Sequence, residues 1–192
     1  MSPATLLDRL RAAVAMPTTP LPPPPAGRPR ASVLLLFDPV SARLPLLFML
    51  RSPELRFHPG QIGFPGGTAE PLDGDVVTTA LREASEEVGL QLGNVDVIGL
   101  LSPLITATSE RWLTPVVGLQ RSQWEVRSDP YEVAEWFRIG LDELMTAPHT
   151  VQQFHRDGVA HDVHFYTAGG RTIWGVSGAI LHELLARLGR KD

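Results

Sequence analysis

Arg82-Glu83-Ala84-Ser85-Glu86-Glu87-Val88-Gly89-Leu90 follows closely on Phe64-Pro65-Gly66-Gly67, and together these stretches decide the fold. On a helix, residues three and four apart share a face, so Glu83, Glu86 and Glu87 are expected to point the same way. Val77, Leu81, Ala84 and Val88 recur at helical spacing and are expected to form an apolar stripe roughly opposite, holding the helix against a core. Gly89 supplies a left-handed stop. Three carboxylates on one face repel one another unless a cation neutralises them, and clustered carboxylate oxygens suit a hard ion such as Mg²⁺. A solvated acidic face is the plainer meaning of the same run. The glycine pair favours the cation, because glycine backbone can approach a ligand closely and Pro65 stiffens the entry.

These residues resemble the Nudix box: Gly, five residues, Glu, seven residues, then Arg-Glu-aliphatic-x-Glu-Glu-x-Gly-aliphatic. The second half is matched from Arg82 to Leu90, with Ala84 at the aliphatic place. The first half departs from it. Beyond the five residues that follow Gly67 stands Asp73 rather than Glu, and eight residues rather than seven separate it from Arg82. Upstream, Arg51-Ser52, Arg56, Gly60 and Phe64-Pro65-Gly66-Gly67 follow one another with three residues in each gap. That spacing is similar to the added signature of the coenzyme A pyrophosphatase branch, which also has the longer loop and an Asp at the place of Asp73. The branch pattern begins Leu-Leu-Thr, whereas this chain has Leu47-Phe48-Met49.

The resemblance implies an α/β/α sandwich with a mixed β-sheet. It also implies metal-dependent hydrolysis of coenzyme A or its thioesters to 4′-phosphopantetheine (or its acyl form) and adenosine 3′,5′-bisphosphate. Mg²⁺ or Mn²⁺ would be the cofactor, held by Glu83 and Glu87, with Glu86 as ligand or water orienter and the Gly67 carbonyl as a further oxygen. Glu87 is also counted with the catalytic groups. Glu86, Glu110 and Glu132 stay open as the general base. Arg51, Arg56, His58 and Arg111 are the cations that could meet an anionic substrate, although Arg51 and Arg56 could instead brace the loop through carboxylate pairs. Arg82 is expected to fix a glutamate. Two other readings stand: a Nudix hydrolase acting on ADP-ribose or another nucleoside diphosphate derivative, and a non-catalytic nucleotide-binding regulator. The Arg51 to Gly60 pattern argues against the first and the complete glutamate triad against the second.

Composition agrees with an enzyme of this size. A chain of 192 residues can bury one substantial core. The net charge of −4 offers no global attraction for nucleic acid. Absence of cysteine excludes disulfide and thiolate chemistry and is compatible with a cytoplasmic location. No apolar run has the length of a membrane span, and neither a secretory pattern nor a peroxisomal address is read at the ends.

Residues 1–29 are read as an N-terminal helix and a proline-rich connector, and 30–192 as the Nudix domain. The helix begins at Ser2, with Leu6, Leu7, Leu10, Ala13 and Val14 on one side, packing on the body or on a second copy in a homodimer. Residues 17–29 must be extended rather than helical. Strands are expected over 31–37, 44–51, 95–101, 113–119 and 132–139. Pro115 suggests that the fourth lies near an edge. Residues 106–111 read as a polar loop, 141–145 as a helical turn, 151–166 as a hairpin around Asp157-Gly158, and 177–188 as a helix. Gly175-Val176-Ser177-Gly178-Ala179 falls short of a serine-hydrolase elbow at Ala179, leaving Ser177 as a helix cap. His161 and His164 face opposite sides of a strand, and zinc binding is set aside for want of further nitrogen or sulfur ligands. Trp112, Trp124, Trp136 and Trp174 read as core or interface anchors, with Trp112 beside the polar loop the one to test for substrate stacking.

Overall fold

Successive side chains of a strand point to opposite sides, and the first two long apolar runs use both. Ala31, Leu35, Phe37, Leu46 and Phe48 enter one buried cluster, while Leu34, Leu36, Leu47 and Met49 enter a second. Strands buried on both faces need cover on both. The computed structural model, which describes residues 3–15, 21–25, 27–56, 58–156 and 158–191, supplies that cover with helices.

In chain order the elements are α1 (Pro3–Ala13), β1 (Arg30–Phe37), β2 (Pro45–Arg51), β3 (Ile62–Gly63), β4 (Gly66–Thr68), α2 (Val76–Val88), β5 (Val95–Leu100), β6 (Leu104–Ile105), β7 (Trp112–Gln120), β8 (Val133–Gly140), α3 (Leu141–Thr146), β9 (His149–Arg156), β10 (Val159–Ala168), β11 (Arg171–Ile173) and α4 (Gly175–Arg187). An eight-stranded sheet runs β3-β2-β1-β7-β5, with β4 on β1, β6 on β7 and β8 on β2. β1 and β7 are parallel and the other pairs antiparallel, so the sheet is mixed. α2 covers the second cluster; α1 and α4 contribute Leu6, Leu10, Ile180, Leu181, Leu184 and Leu185 to the first. The result is the expected α/β/α sandwich.

One irregularity positions the site. β1 is in register with β2 at Phe37 and Leu46, whereas Ala31, Ser32 and Val33 pair with Thr68, Gly67 and Gly66 of β4. β1 and β2 therefore diverge, and the glycine strand takes the vacated edge beneath α2.

Several expectations need correction. β7 is interior, between β1 and β5. The Pro115 carbonyl accepts from the Leu101 amide at 3.0 Å, and a residue's N and C=O point the same way along a strand. Its missing N–H thus faces the break between β5 and β6, and no bond to β1 is lost. The hairpin belongs to a separate antiparallel sheet, β11-β10-β9, whose third strand the sequence did not show. Asp157 of its turn lies outside the described residues, as do Ser2 and residues 16–20 and 26 of the N-terminal region. α4 begins at Gly175, capped by Trp174 without a side-chain bond, so Ser177 sits inside the helix rather than at its cap. Among the described residues no helix is long and apolar enough to cross a membrane.

α1 packs on the body of its own chain: Leu10 is fully buried and the Ala15 and Leu100 backbones exchange hydrogen bonds of 3.0 and 2.8 Å. Leu10→Ala should therefore lower unfolding free energy by about 2–5 kcal/mol, measured by urea denaturation. A change below about 0.5 kcal/mol would make α1 an appendage.

Candidate functional site

Local signals start and stop α2 sharply. Asp75 is the N-cap, its carboxylate accepting from the Thr78 amide at 2.7 Å, and Gly89 closes the helix at φ 67°. Between them the three glutamates take three environments. Glu86 is turned toward solvent, its side chain 57% exposed; Glu83 is 17% exposed and Glu87 8%. Glu87 lies on the packed side of the helix with Ala80, Ala84 and Val88. The apolar stripe and the carboxylates are thus not opposite, as helical spacing suggested. They meet along one edge, and β4 is what they meet.

β4 requires glycine for two separate reasons. Gly66 has φ 156°, and a Cβ there would lie 2.3 Å from the Ser32 carbonyl oxygen; its amide donates to Glu87 Oε2 at 2.8 Å. At Gly67 a Cβ would stand within 2.5 Å of the Glu83 carboxylate atoms. A side chain at either place would displace backbone or a carboxylate.

Arg82 organises the rest. Its guanidinium grips Asp73 (Nε to Oδ1 and Nη2 to Oδ2, both 3.1 Å) and donates to Glu83 Oε1, Glu86 Oε2 and the Thr68 carbonyl, each at 3.0 Å. Asp73 also accepts from Thr79 Oγ1 and the Glu70 amide. Asp73 is thus an anchor for Arg82, whose bond holds the Asp73 carboxyl down at about 2. Burial raises Glu83 above its ordinary value, against the nearby Arg82. Burial pushes Glu87 to about 7, opposed by the Gly66 amide and Arg51 and reinforced by the charges of Glu83 and Glu132.

The other expected site residues divide. Arg51 Nη1 stands 3.6 Å from Glu87 Oε1, while its buried Nε has no hydrogen-bond partner among the described residues. Glu132 is exposed and lies near this pair: its carbonyl accepts from the Ser52 amide at 2.9 Å, and its charge reaches Glu87. Arg56 is exposed on the β2–β3 loop. His58, at φ 55°, bonds Gln61 through Nδ1 at 2.9 Å. Glu110 is not brought to the triad; it pairs with Arg28 at 3.4 Å, and none of its bonds reaches α2. Arg111 is half-buried, its amide held by Thr106 Oγ1. Trp112 borders a small cavity beside Leu21, Pro22, Pro23 and Pro24, so the proline tract lies against it.

These residues fit a hard divalent cation. The donors are carboxylate oxygens beside a glycine backbone, and the elevated Glu87 marks a buried negative charge that a cation would relieve. Glu83 and Glu87 converge on β4, whereas Glu86 is drawn outward by Arg82.

Residues 27–161 match the NUDIX domain family. The chain is 38% identical over 168 residues to Uncharacterized Nudix hydrolase NudL of Photorhabdus laumondii subsp. laumondii, covering 85% of this chain and 89% of the relative. A NudL protein of Yersinia enterocolitica is 40% identical over 140 residues, covering 72% and 71%. Among solved structures, a MutT/nudix family protein from Enterococcus faecalis aligns with TM-score 0.54 at 16% identity, over 100% of this chain and 71% of that one. A C. elegans Ap4A hydrolase aligns with TM-score 0.50 at 16% identity, over 61% and 84%; these two likenesses concern the fold. The chain belongs to the Nudix family. It is a Nudix hydrolase, and Nudix hydrolases generally need divalent metal ions and act on small molecules.

Two of the shifted carboxyls, Glu87 and Asp73, give the metal-free protein opposite pH slopes. Between its unfolded value of 4.5 and about 7, Glu87 keeps a proton in the folded state that the unfolded chain has released, so stability falls as pH rises through that window. Asp73 acts the other way, its contribution present above 3.8 and lost as pH falls through about 2. Urea midpoints in EDTA should show the falling limb, and Glu87→Gln should flatten it. An unchanged slope in that variant assigns the limb to another group.

Proposed function

We propose that this chain hydrolyses the diphosphate of coenzyme A or its thioesters with Mg²⁺ or Mn²⁺, releasing 4′-phosphopantetheine or its acyl form and adenosine 3′,5′-bisphosphate. The observation that carries the proposal is the Arg51–Glu87 contact of 3.6 Å. It joins the segment bearing the Arg51 to Gly67 pattern directly to the acidic helix, so the part that suggests a coenzyme A substrate and the part that suggests diphosphate cleavage adjoin one another.

A diphosphate resists attack because its own oxygens repel a nucleophile. Glu83 and Glu87 would hold the divalent ion, with the Gly67 carbonyl as a further oxygen and Glu86 as ligand or water orienter. When bound, such an ion supplies charge neutralisation and activation of water. In the hydrolysis, a water oxygen bonds to phosphorus, the bridging P–O bond breaks, and the departing phosphate keeps the electron pair. The water's proton passes to a carboxylate base. Glu132 is our choice for that base, since it is exposed and its charge reaches Glu87, whereas Glu110 pairs with Arg28. Arg56 meets substrate phosphate in fork geometry, and Arg51 shares its guanidinium between Glu87 and the diphosphate. Arg82 positions the site without touching substrate.

The test is to incubate the protein with Mg²⁺ or Mn²⁺ and coenzyme A, acyl-coenzyme A, ADP-ribose and dinucleoside polyphosphates, and identify products by mass spectrometry. The expected product is 4′-phosphopantetheine or its acyl form. Cleavage of ADP-ribose without any such product would sink the coenzyme A assignment while leaving the hydrolase intact. Glu87→Gln should lower turnover by about two orders of magnitude or more with the fold retained by circular dichroism. Near-normal turnover would remove Glu87 from the mechanism.

A further inference from the structure

A second cluster of metal-competent side chains lies on the other face of the main sheet. His149 opens β9, His164 lies on β10 and His182 on α4, and one ligand nitrogen from each falls within 4.8 Å of the other two. His149 Nε2 is 3.0 Å from His164 Nδ1. We propose that these three histidines bind one transition-metal ion of the zinc class.

The placement follows from the backbone. His149 pairs directly with Tyr166 across the β9–β10 ladder, and His164 is two residues from Tyr166 on the same face. α4 comes down on that face at Gly178, where a Cβ would stand 2.3 Å from the His164 carbonyl oxygen. His182, four residues on, presents the same side of the helix. Gly178 therefore brings the third imidazole to the pair. His161, of the opposite parity, stays exposed and outside. The nitrogen ligands whose absence spoke against zinc are present, but from an adjoining strand and a helix.

The chemistry selects the ion. Three neutral imidazoles suit Zn²⁺, Co²⁺ or Ni²⁺, whereas Mg²⁺ prefers oxygen. Two nitrogens bound tetrahedrally at zinc distances stand about 3.3 Å apart, close to the 3.0 Å between His149 and His164. Tyr166, fully buried, bonds His182 Nδ1 at 3.0 Å. With Tyr166 accepting that proton, His182 keeps its Nε2 lone pair for the ion, and a ligating histidine is oriented by just such an outer partner. The rings of His164 and His182 stack at 3.8 Å between centroids, so coordination tilts them until their in-plane lone pairs converge. All three are half-buried, which leaves a fourth position for water. The bound ion ties the hairpin to α4.

The test uses the full chain stripped with EDTA and titrated with Zn²⁺ and Co²⁺ in excess Mg²⁺, which occupies the carboxylate site. Calorimetry should give one equivalent of Zn²⁺, Co²⁺ should give the visible absorption of a low-coordinate nitrogen site, and saturating Zn²⁺ should raise Tm by about 5 °C. His149→Gln and His182→Gln, each checked by circular dichroism, should abolish all three signals; the Glu83→Gln, Glu87→Gln double variant should keep them. Absence of Zn²⁺ binding in the unmutated chain overturns the proposal. So does binding that survives both histidine variants and disappears with the glutamates, because the ion then sits on α2.

Discussion

The hydrogen bond from the Gly66 amide to the buried Glu87 carboxylate, 2.8 Å long, is the constraint around which the site is built. A carboxylate taken out of water needs its lone pairs satisfied or its charge neutralised. One backbone donor and a guanidinium at 3.6 Å do part of that, and the elevated Glu87 shows that they leave a remainder. A cation held here, as proposed above, would supply that remainder. Because the donor is a strand amide, α2 and β4 must keep fixed register, and the splay of β1 from β2 makes room for that strand.

Arg82 resolves the opposite problem. Asp73, Glu83 and Glu86 all present carboxylates to one helix face, and a single planar guanidinium distributes donors among them and the Thr68 carbonyl. The charge cluster is thereby sorted: Asp73 is locked as an anchor, Glu86 is drawn to solvent, and Glu83 is held against Gly67. Glu87, which Arg82 does not touch, is left to the Gly66 amide and Arg51. The extra residue in the loop before Arg82 does not disturb this, because Asp73 reaches the guanidinium from its place in the longer loop.

Much of the sandwich was legible because it rests on short-range rules. Apolar runs of strand length announced β1 and β2, Gly89 announced the end of α2, and the glycine pair announced a close approach. Where the reading failed, a tertiary neighbour decided the matter. Pro115 is harmless inside the sheet because β5 and β6 part opposite its nitrogen. Ser177 does not cap α4, since the helix begins at Gly175 with the backbone already extended at Trp174. The short strands β3, β4, β6 and β11 have two or three residues each, too few to carry a period, and exist because a longer neighbour offers an edge.

The sequence by itself determined the chemical inventory: an acidic helix with a glycine loop in register, two arginines just upstream, and no thiol. Period and spacing along a helix or strand are local properties, so they travel with the chain. Tertiary structure alone decided which glutamate is buried, that Arg51 rather than Arg56 faces it, and that His149, His164 and His182 meet. Those facts depend on how a strand, a hairpin and a helix far apart in sequence close on one another, and no spacing along the chain encodes such closure.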